Sequence, residues 1–359
     1  MFDFLNTWLT NGGFWVAIPL IIIGCAALIK GADFLVDGAS ALAKKYGVSD
    51  IVIGLTVVAF GTSMPEFVVN MVAVGQGSTE IAITNVLGSN IINIFVILGF
   101  TALIYPISSQ KSTRRFDIPF SLLAALLVLL FAVYNSPSWL QIEHIFNMNI
   151  ADPTLSDLGS IQMGQGNGGF ISGVGGSILL IFFLIFLWHN FKGIGSAPQT
   201  ESNEEYKPMS ARRALALIIG GLVGLVVGGE VIVKSATSIA QSLGVSDAII
   251  GLTVVALGTS LPELATSCMA AFKKNCDIAL GNVIGSNLFN IFFILGTSAC
   301  VKALPGYHGL EIDALMAALG SVLVMLFVYL TKKHEIKRWH GAILLLTYAA
   351  YLAYRIITL

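Results

Sequence analysis

Two stretches of this chain, 197 residues apart, are nearly the same sequence, and each sets a glutamate amid apolar residues. Residues 47–66 read GVSDIVIGLTVVAFGTSMPE and residues 244–263 read GVSDAIIGLTVVALGTSLPE, with 16 of 20 positions identical. The same offset lays NVLGSNIINIF (85–95) on NVIGSNLFNIF (282–292). One offset shared by two separate stretches is the mark of a duplicated unit. The fold must be two copies of one structure, and that structure must hold a carboxylate inside an apolar segment.

The apolar segments are long. Of the 359 residues, 56% are hydrophobic and 11% charged, whereas soluble domains carry about 25% charged residues. Ten segments, near 14–43, 51–74, 80–104, 116–134, 170–189, 212–241, 248–271, 277–301, 310–331 and 340–358, are long enough to span the bilayer, whose hydrocarbon core is about 30 Å thick. The expected fold is therefore an all-α integral membrane protein of ten transmembrane helices in two five-helix repeats. The first repeat covers 1–190, a short linker 191–211, and the second repeat 212–359. No Lys or Arg precedes Lys30, so the first segment lacks the basic start of a signal peptide and is read as a membrane helix. The first and sixth segments carry Asp33 and Asp37, and Glu230 and Lys234, and are expected to tilt or bend. Residues 135–169 form a polar, Gly-rich loop without Lys or Arg, in which 139–142 either lie at the interface or belong to a plain loop. The linker, with Glu201, Glu204 and Glu205, is shorter than the roughly 50 residues a folded domain needs.

Five spans per copy is an odd number, so the second copy enters the membrane upside down. Charge placement agrees. With the N-terminus outside, 15 of the 19 Lys and Arg fall in inside loops, and only Lys302 and Arg355 lie outside. Lys44 and Lys45 become Gln241 and Ser242 in the second copy, where the same loop faces the other way. Both termini are then expected outside the cell membrane and the linker in the cytoplasm.

A carboxylate at the bilayer centre costs about 2.5–3.5 kcal/mol even on insertion scales. Glu66 and Glu263 are such residues, at equivalent positions. A hydrogen-bonded tie between helices is one use for them; recurrence within one polar motif favours ion handling. In GTSMPE, Pro65 has no N–H, so the Gly61 carbonyl loses its helical partner. On a continuous helix Thr62 and Ser63 share a face with Glu66, and Ala59 lies one turn further back. The second copy supplies Ala256, Gly258, Thr259, Ser260, Pro262 and Glu263. The second motif adds Ser89 with Asn93, and Ser286 with Asn290, each pair spaced i, i+4. Close helix packing is the other reading of these small residues. Asn90 and Asn287 fall off that face and are expected to bond helix to helix.

Two carboxylates among neutral oxygens suit a hard cation such as Ca2+, which takes about six to eight oxygen ligands. None of the five His falls in a motif with the glutamates, and the spacing of the four Cys fits neither zinc nor a disulfide framework. With no HExxH and no Ser or Cys set beside a His, nothing marks an enzyme. No cofactor is implied. A cation channel is the reading from another class, and the inverted repeat around broken helices favours a carrier.

At these residues the sequence resembles the cation/Ca2+ exchanger superfamily. GTSMPE and GTSLPE, with GSNIIN and GSNLFN, look like the prokaryotic Na+/Ca2+ exchanger form of its inverted repeats. The resemblance implies that Glu66 and Glu263 bind Ca2+ with the carbonyls of Thr62 and Thr259. It implies that Na+ is held by Ser63, Ser260, Ser89 and Ser286 with the carbonyls of Ala59 and Ala256, and that Asn93 and Asn290 flank the centre. Ca2+ and Na+ are then transported ions, exchanged by alternating access, and three Na+ per Ca2+ would move net charge. Exchange of Ca2+ or another divalent ion for H+ is the alternative, although the proton-coupled branch typically has a shorter GxEP-like motif. Some relatives, including those that also move K+, carry Asp where this chain has Asn93 or Asn290. That difference argues against K+ dependence and removes one proton carrier. The partners implied are the lipid bilayer and the ions, with no nucleic acid and no protein.

Overall fold

The computed structural model describes residues 3–134, 170–192, 209–243, 256–307 and 309–358. The 135–169 loop, most of the linker and the first part of the seventh segment (248–255) lie outside the described residues.

In hydrocarbon every backbone N–H and C=O must find a partner within the protein, and apolar segments meet that demand as helices. Helix α1 is Asp3–Tyr46, with Gly13 joining two helical pieces at φ 50°. Helices α2 (Asp50–Thr62) and α3 (Met64–Gly75) meet at a 45° bend. Then come α4 (Thr79–Ile104), strand β1 (Ile107–Ser108), α5 (Lys111–Arg115) and α6 (Asp117–Tyr134). Strand β2 (Phe170–Ile171) leads into α7 (Gly173–Lys192). The second copy contributes α8 (Ala211–Ser242), α9 (Ala256–Thr259), α10 (Leu261–Phe272), α11 (Cys276–Val301) and β3 (Leu304–Pro305). It ends with α12 (Leu310–Leu330), β4 (Glu335–Ile336) and α13 (Arg338–Thr358). Among the described residues, 8 helices are long and apolar enough to cross a membrane, or 9 with α2 and α3 taken as one span. The Gly13–Tyr46 stretch has 34 residues, about 51 Å at ~1.5 Å each, longer than the roughly 30 Å hydrocarbon core.

The centre belongs to α4 and α11, whose apolar stretches are 78% and 94% buried, against 11% for α1 and 28% for α8. Trp15, Ile22, Trp188, Leu330 and Leu346 stand exposed on the perimeter. Large apolar side chains in such numbers on the outside belong against lipid.

The two copies are related by a pseudo-two-fold that the contacts display directly. Helices α1 and α8 cross antiparallel at glycines. A Cβ on Gly31 would stand 2.7 Å from the Gly221 carbonyl oxygen, and one on Gly228 would stand 2.7 Å from that of Gly24. The repeat offset makes Gly24 equivalent to Gly221 and Gly31 to Gly228. Each copy therefore gives the contact that it receives, as an isologous interface requires. The strands repeat the pattern. Ile107 of β1 pairs with Ile336 of β4, and Leu304 of β3, its equivalent, pairs with Ile171 of β2. Inversion is thus built into the packing.

Candidate ion site

The site begins with two interrupted helices. Ser63 (φ −85°, ψ 6°) leaves the helical path between α2 and α3, and Pro65 sits in the first turn of α3. Ser260 (φ −89°, ψ 5°) and Pro262 do the same between α9 and α10. Each break puts a glutamate in the first turn of the helix that follows, where unpaired N–H groups and the helix dipole favour negative charge. Wide π-helical turns at Gly54–Val58, Asn93–Ile97 and Phe289–Leu295 lie next to these elements. Such turns often accompany functional sites.

Glu66 and Glu263 are fully buried, and each carboxylate feels the charge of the other. Their hydroxyl partners come from across the repeat interface and from the neighbouring helix. Ser63 Oγ donates to Glu263 Oε1 at 2.9 Å, and Ser89 Oγ donates to Glu66 Oε1 at 3.4 Å. Ser89 and Ser260 hydroxyls are 3.1 Å apart, and Asn290 Nδ2 donates to Ser89 Oγ at 3.1 Å. The shared face expected for Thr62, Ser63 and Glu66 does not form, because the backbone breaks at Ser63 and the helical spacing ends there. Ser63 serves the other copy's glutamate. Thr62 Oγ1 lies 3.0 Å from Asn282 Oδ1 and 3.3 Å from the Ala59 carbonyl oxygen, and it too reaches the Glu263 carboxylate of the other copy. The Ala59 carbonyl also accepts from the Ser63 amide at 3.0 Å. Thr259 reaches the Glu66 carboxylate, and Ala256 opens α9.

Five buried oxygens of this network have no hydrogen-bond partner among the described residues: Glu66 Oε2, Glu263 Oε2, Asn93 Oδ1, Asn290 Oδ1 and Ser286 Oγ. About 90% or more of buried polar groups are normally paired. Four of the five are oxygens without a hydrogen to give, two of them on carboxylates, so hydrogen bonds among themselves cannot satisfy them. Cations can.

Asn90 and Asn287 bond helix to helix as expected, each amide donating to the other's backbone carbonyl, at 3.3 and 3.5 Å. Two further asparagines escaped the reading of the sequence although both stand in the repeated NVxGSN motif. Asn282 Nδ2 donates to the Glu263 carbonyl at 3.2 Å and to Ser267 Oγ at 2.9 Å. Asn85 Nδ2 donates to the Glu66 carbonyl at 3.4 Å and to Asn70 Oδ1 at 2.7 Å. Each fastens a glutamate-bearing helix to the central helix of its own copy. The two ends differ in exposure: Thr62 and Asn282 are buried, whereas Thr259 and Asn85 are half-buried.

Comparison with known proteins gives the following. A family model described as sodium/calcium exchanger protein matches residues 16–192 and 213–357. A sodium/calcium exchanger of Methanosarcina acetivorans, MaX1, is 33% identical over 351 residues, covering 93% of this chain and 96% of that protein. A putative antiporter of Alkalimonas amylolytica, CaxA, is 34% identical over 342 residues, covering 94% of this chain and 97% of its own length. Among solved structures, the sodium-calcium exchanger NCX_Mj soaked with Na+ and Sr2+ matches with a TM-score of 0.73 at 31% identity, covering 94% of this chain and 97% of that one.

Proposed function

The chain belongs to the sodium/calcium exchanger family, and on that footing we propose that it is an antiporter that moves Ca2+ across a membrane in exchange for Na+. The observation that carries the reading is the set of five unpartnered buried oxygens, two of them carboxylate, at the interface of two inverted repeats. Two carboxylates neutralise one Ca2+. Glu66 and Glu263, with the carbonyls of Thr62 and Thr259, are its ligands in this reading. Na+ takes the hydroxyls of Ser63, Ser260, Ser89 and Ser286 and the carbonyls of Ala59 and Ala256, while Asn93 and Asn290 offer neutral oxygens at the centre. Because bound Na+ would neutralise the same two carboxylates in place of Ca2+, occupancy by one ion displaces the other, and competition couples the flows.

Alternating access follows from the same charges. An unfilled site holds two buried negative charges that resist passage through hydrocarbon, and bound cations remove that resistance. The two repeats, 1–190 and 212–359, then exchange roles about their pseudo-two-fold, with α1 and α8 shifting against the central helices. Lys and Arg placement favours both termini outside the cell membrane and the linker in the cytoplasm.

The deciding experiment is radioactive Ca2+ uptake into proteoliposomes loaded with Na+, repeated with a pH gradient in place of the Na+ gradient. Uptake is expected only with internal Na+. Uptake driven by the pH gradient alone would move the protein to proton coupling, and uptake that needs no counter-ion would make it a channel.

A further inference from the structure

Asn90 and Asn287 do more than tie α4 to α11. We propose that they are positioning residues that hold the side-chain amides of Asn290 and Asn93 with their oxygens turned to the ion, an inference that rests on the site described above.

An asparagine side chain offers an oxygen at one end and an NH2 at the other, and only its partners fix which end points where. Here the chain of partners begins at the backbone, so the orientation is determined. Asn90 Nδ2 lies 3.3 Å from the Asn287 carbonyl oxygen, which only accepts. The NH2 of Asn90 must be at that end. Its Oδ1 therefore faces Asn290, 3.1 Å away, and requires a hydrogen from Asn290 Nδ2. The second hydrogen of that Nδ2 goes to Ser89 Oγ at 3.1 Å. Both donors of Asn290 are committed, and its Oδ1 is left without a partner among the described residues.

The other copy repeats the relay through its two asparagines, without the serine contact. Asn287 Nδ2 is 3.5 Å from the Asn90 carbonyl, and Asn287 Oδ1 accepts from Asn93 Nδ2 at 3.0 Å. Asn93 Oδ1 is also left unpartnered. All four asparagines are at most 2% exposed. Turned the other way, Asn93 or Asn290 would set an NH2 against the cation and an oxygen against an oxygen. The relay prevents this. It also defines what these positions supply: neutral oxygens of fixed direction that carry no titrating proton.

The test is a double-mutant cycle read by equilibrium Ca2+ binding to the purified full chain, with Ca2+ itself as the probe. Asn287→Leu removes the acceptor that holds Asn93 and is expected to weaken Ca2+ binding roughly tenfold. Asn93→Ala weakens it too, and adding Asn287→Leu on that background should have little further effect, because the oxygen being oriented is gone. A scaffold role would instead give independent losses that multiply, and that outcome overturns the proposal. Should Asn287→Leu fail to give a monodisperse protein, Asn90→Leu with Asn290→Ala poses the same question from the other copy. A wild-type chain that binds no Ca2+ would sink the reading of the site as well, whereas multiplying losses on a wild type that binds Ca2+ would sink only the relay.

Discussion

In the proposed site, Glu66 and Glu263 are worth most to the protein when a cation is present and cost most when none is. Two buried carboxylates that feel each other's charge destabilise the ion-free chain. Function and stability should therefore respond in opposite directions to one substitution. Glu66→Gln or Glu263→Gln removes half the formal charge of the site and should lower Ca2+ affinity at least a hundredfold, since truncating one partner of a buried charge pair costs about 3–5 kcal/mol. The same variants should melt at a higher temperature than wild type when both are stripped of Ca2+ and Na+. A fall in that ion-free melting temperature would mean that the glutamates serve as structural ties. The pair was legible in the sequence because a carboxylate repeated inside two apolar copies has few other uses. The pairing of Ser63 with Glu263 was not, because helical spacing predicts neighbours only while the helix continues, and Ser63 is where it stops. Nor does spacing reveal Asn282, whose partners Thr62 and Glu263 come from different copies.

Among the elements, α1 and α8 form a seam of close backbone approach, and among the described residues one end of α1 is fastened to the loop after α10. Lys273, just past α10, reaches Asp33 Oδ1 at 2.6 Å and Asp37 Oδ1 at 2.5 Å, while Asn275 bonds Ser40 at 3.1 Å and Asp50 at 2.8 Å. The equivalent positions on the opposite side are Gln76, Glu230 and Lys234, and there Lys234 pairs with Glu230 of its own helix at 3.4 Å. The end that Lys273 fastens is the one with buried Thr62 and Asn282. Lys273→Gln, which copies the other repeat, should loosen that end. Part-exposed ion pairs contribute about 0.2–1 kcal/mol each, so opening should rise about two- to fivefold. In a background without the four native cysteines, a membrane-impermeant thiol reagent should label a Ser40→Cys side chain that much faster, and an unchanged rate would remove Lys273 from the closure. The seam itself makes a harder demand. Gly31→Val would drive its side chain into the Gly221 backbone, and overpacking of this kind costs about 1–3 kcal/mol or more, seen as lost yield of monodisperse protein. Gly88→Ala, with open space around it, should be tolerated. The length of α1 was readable from its long apolar run. Its fastening at one end was not, since Lys273 and Asp33 lie far apart in sequence and in different copies.

For the whole molecule, the duplication was the most legible feature, because one offset in the sequence becomes one pseudo-two-fold in space: the glycine seam, the strand pairs β1–β4 and β2–β3 and the Asn90–Asn287 exchange all obey it. What the duplicated pattern leaves out is the difference between the copies, since a symmetric sequence motif describes both ends alike while a carrier must open one at a time. The two carboxylates also set a charge arithmetic for the proposed exchange. If three Na+ replace one Ca2+, the site is neutral around Ca2+ and carries one positive charge around Na+, so the Na+-loaded passage moves charge and the Ca2+-loaded passage does not. In vesicles loaded with Na+, each Ca2+ taken up then sends one net positive charge out. An interior-positive potential should speed uptake and an interior-negative one should slow it. One charge in a 100 mV potential corresponds to about 2.3 kcal/mol, so the Ca2+ gradient reached at equilibrium should shift roughly fiftyfold per 100 mV imposed by a K+ gradient with valinomycin. A gradient indifferent to potential would mean two Na+ per Ca2+, and with it a site in which the glutamates alone count the ions.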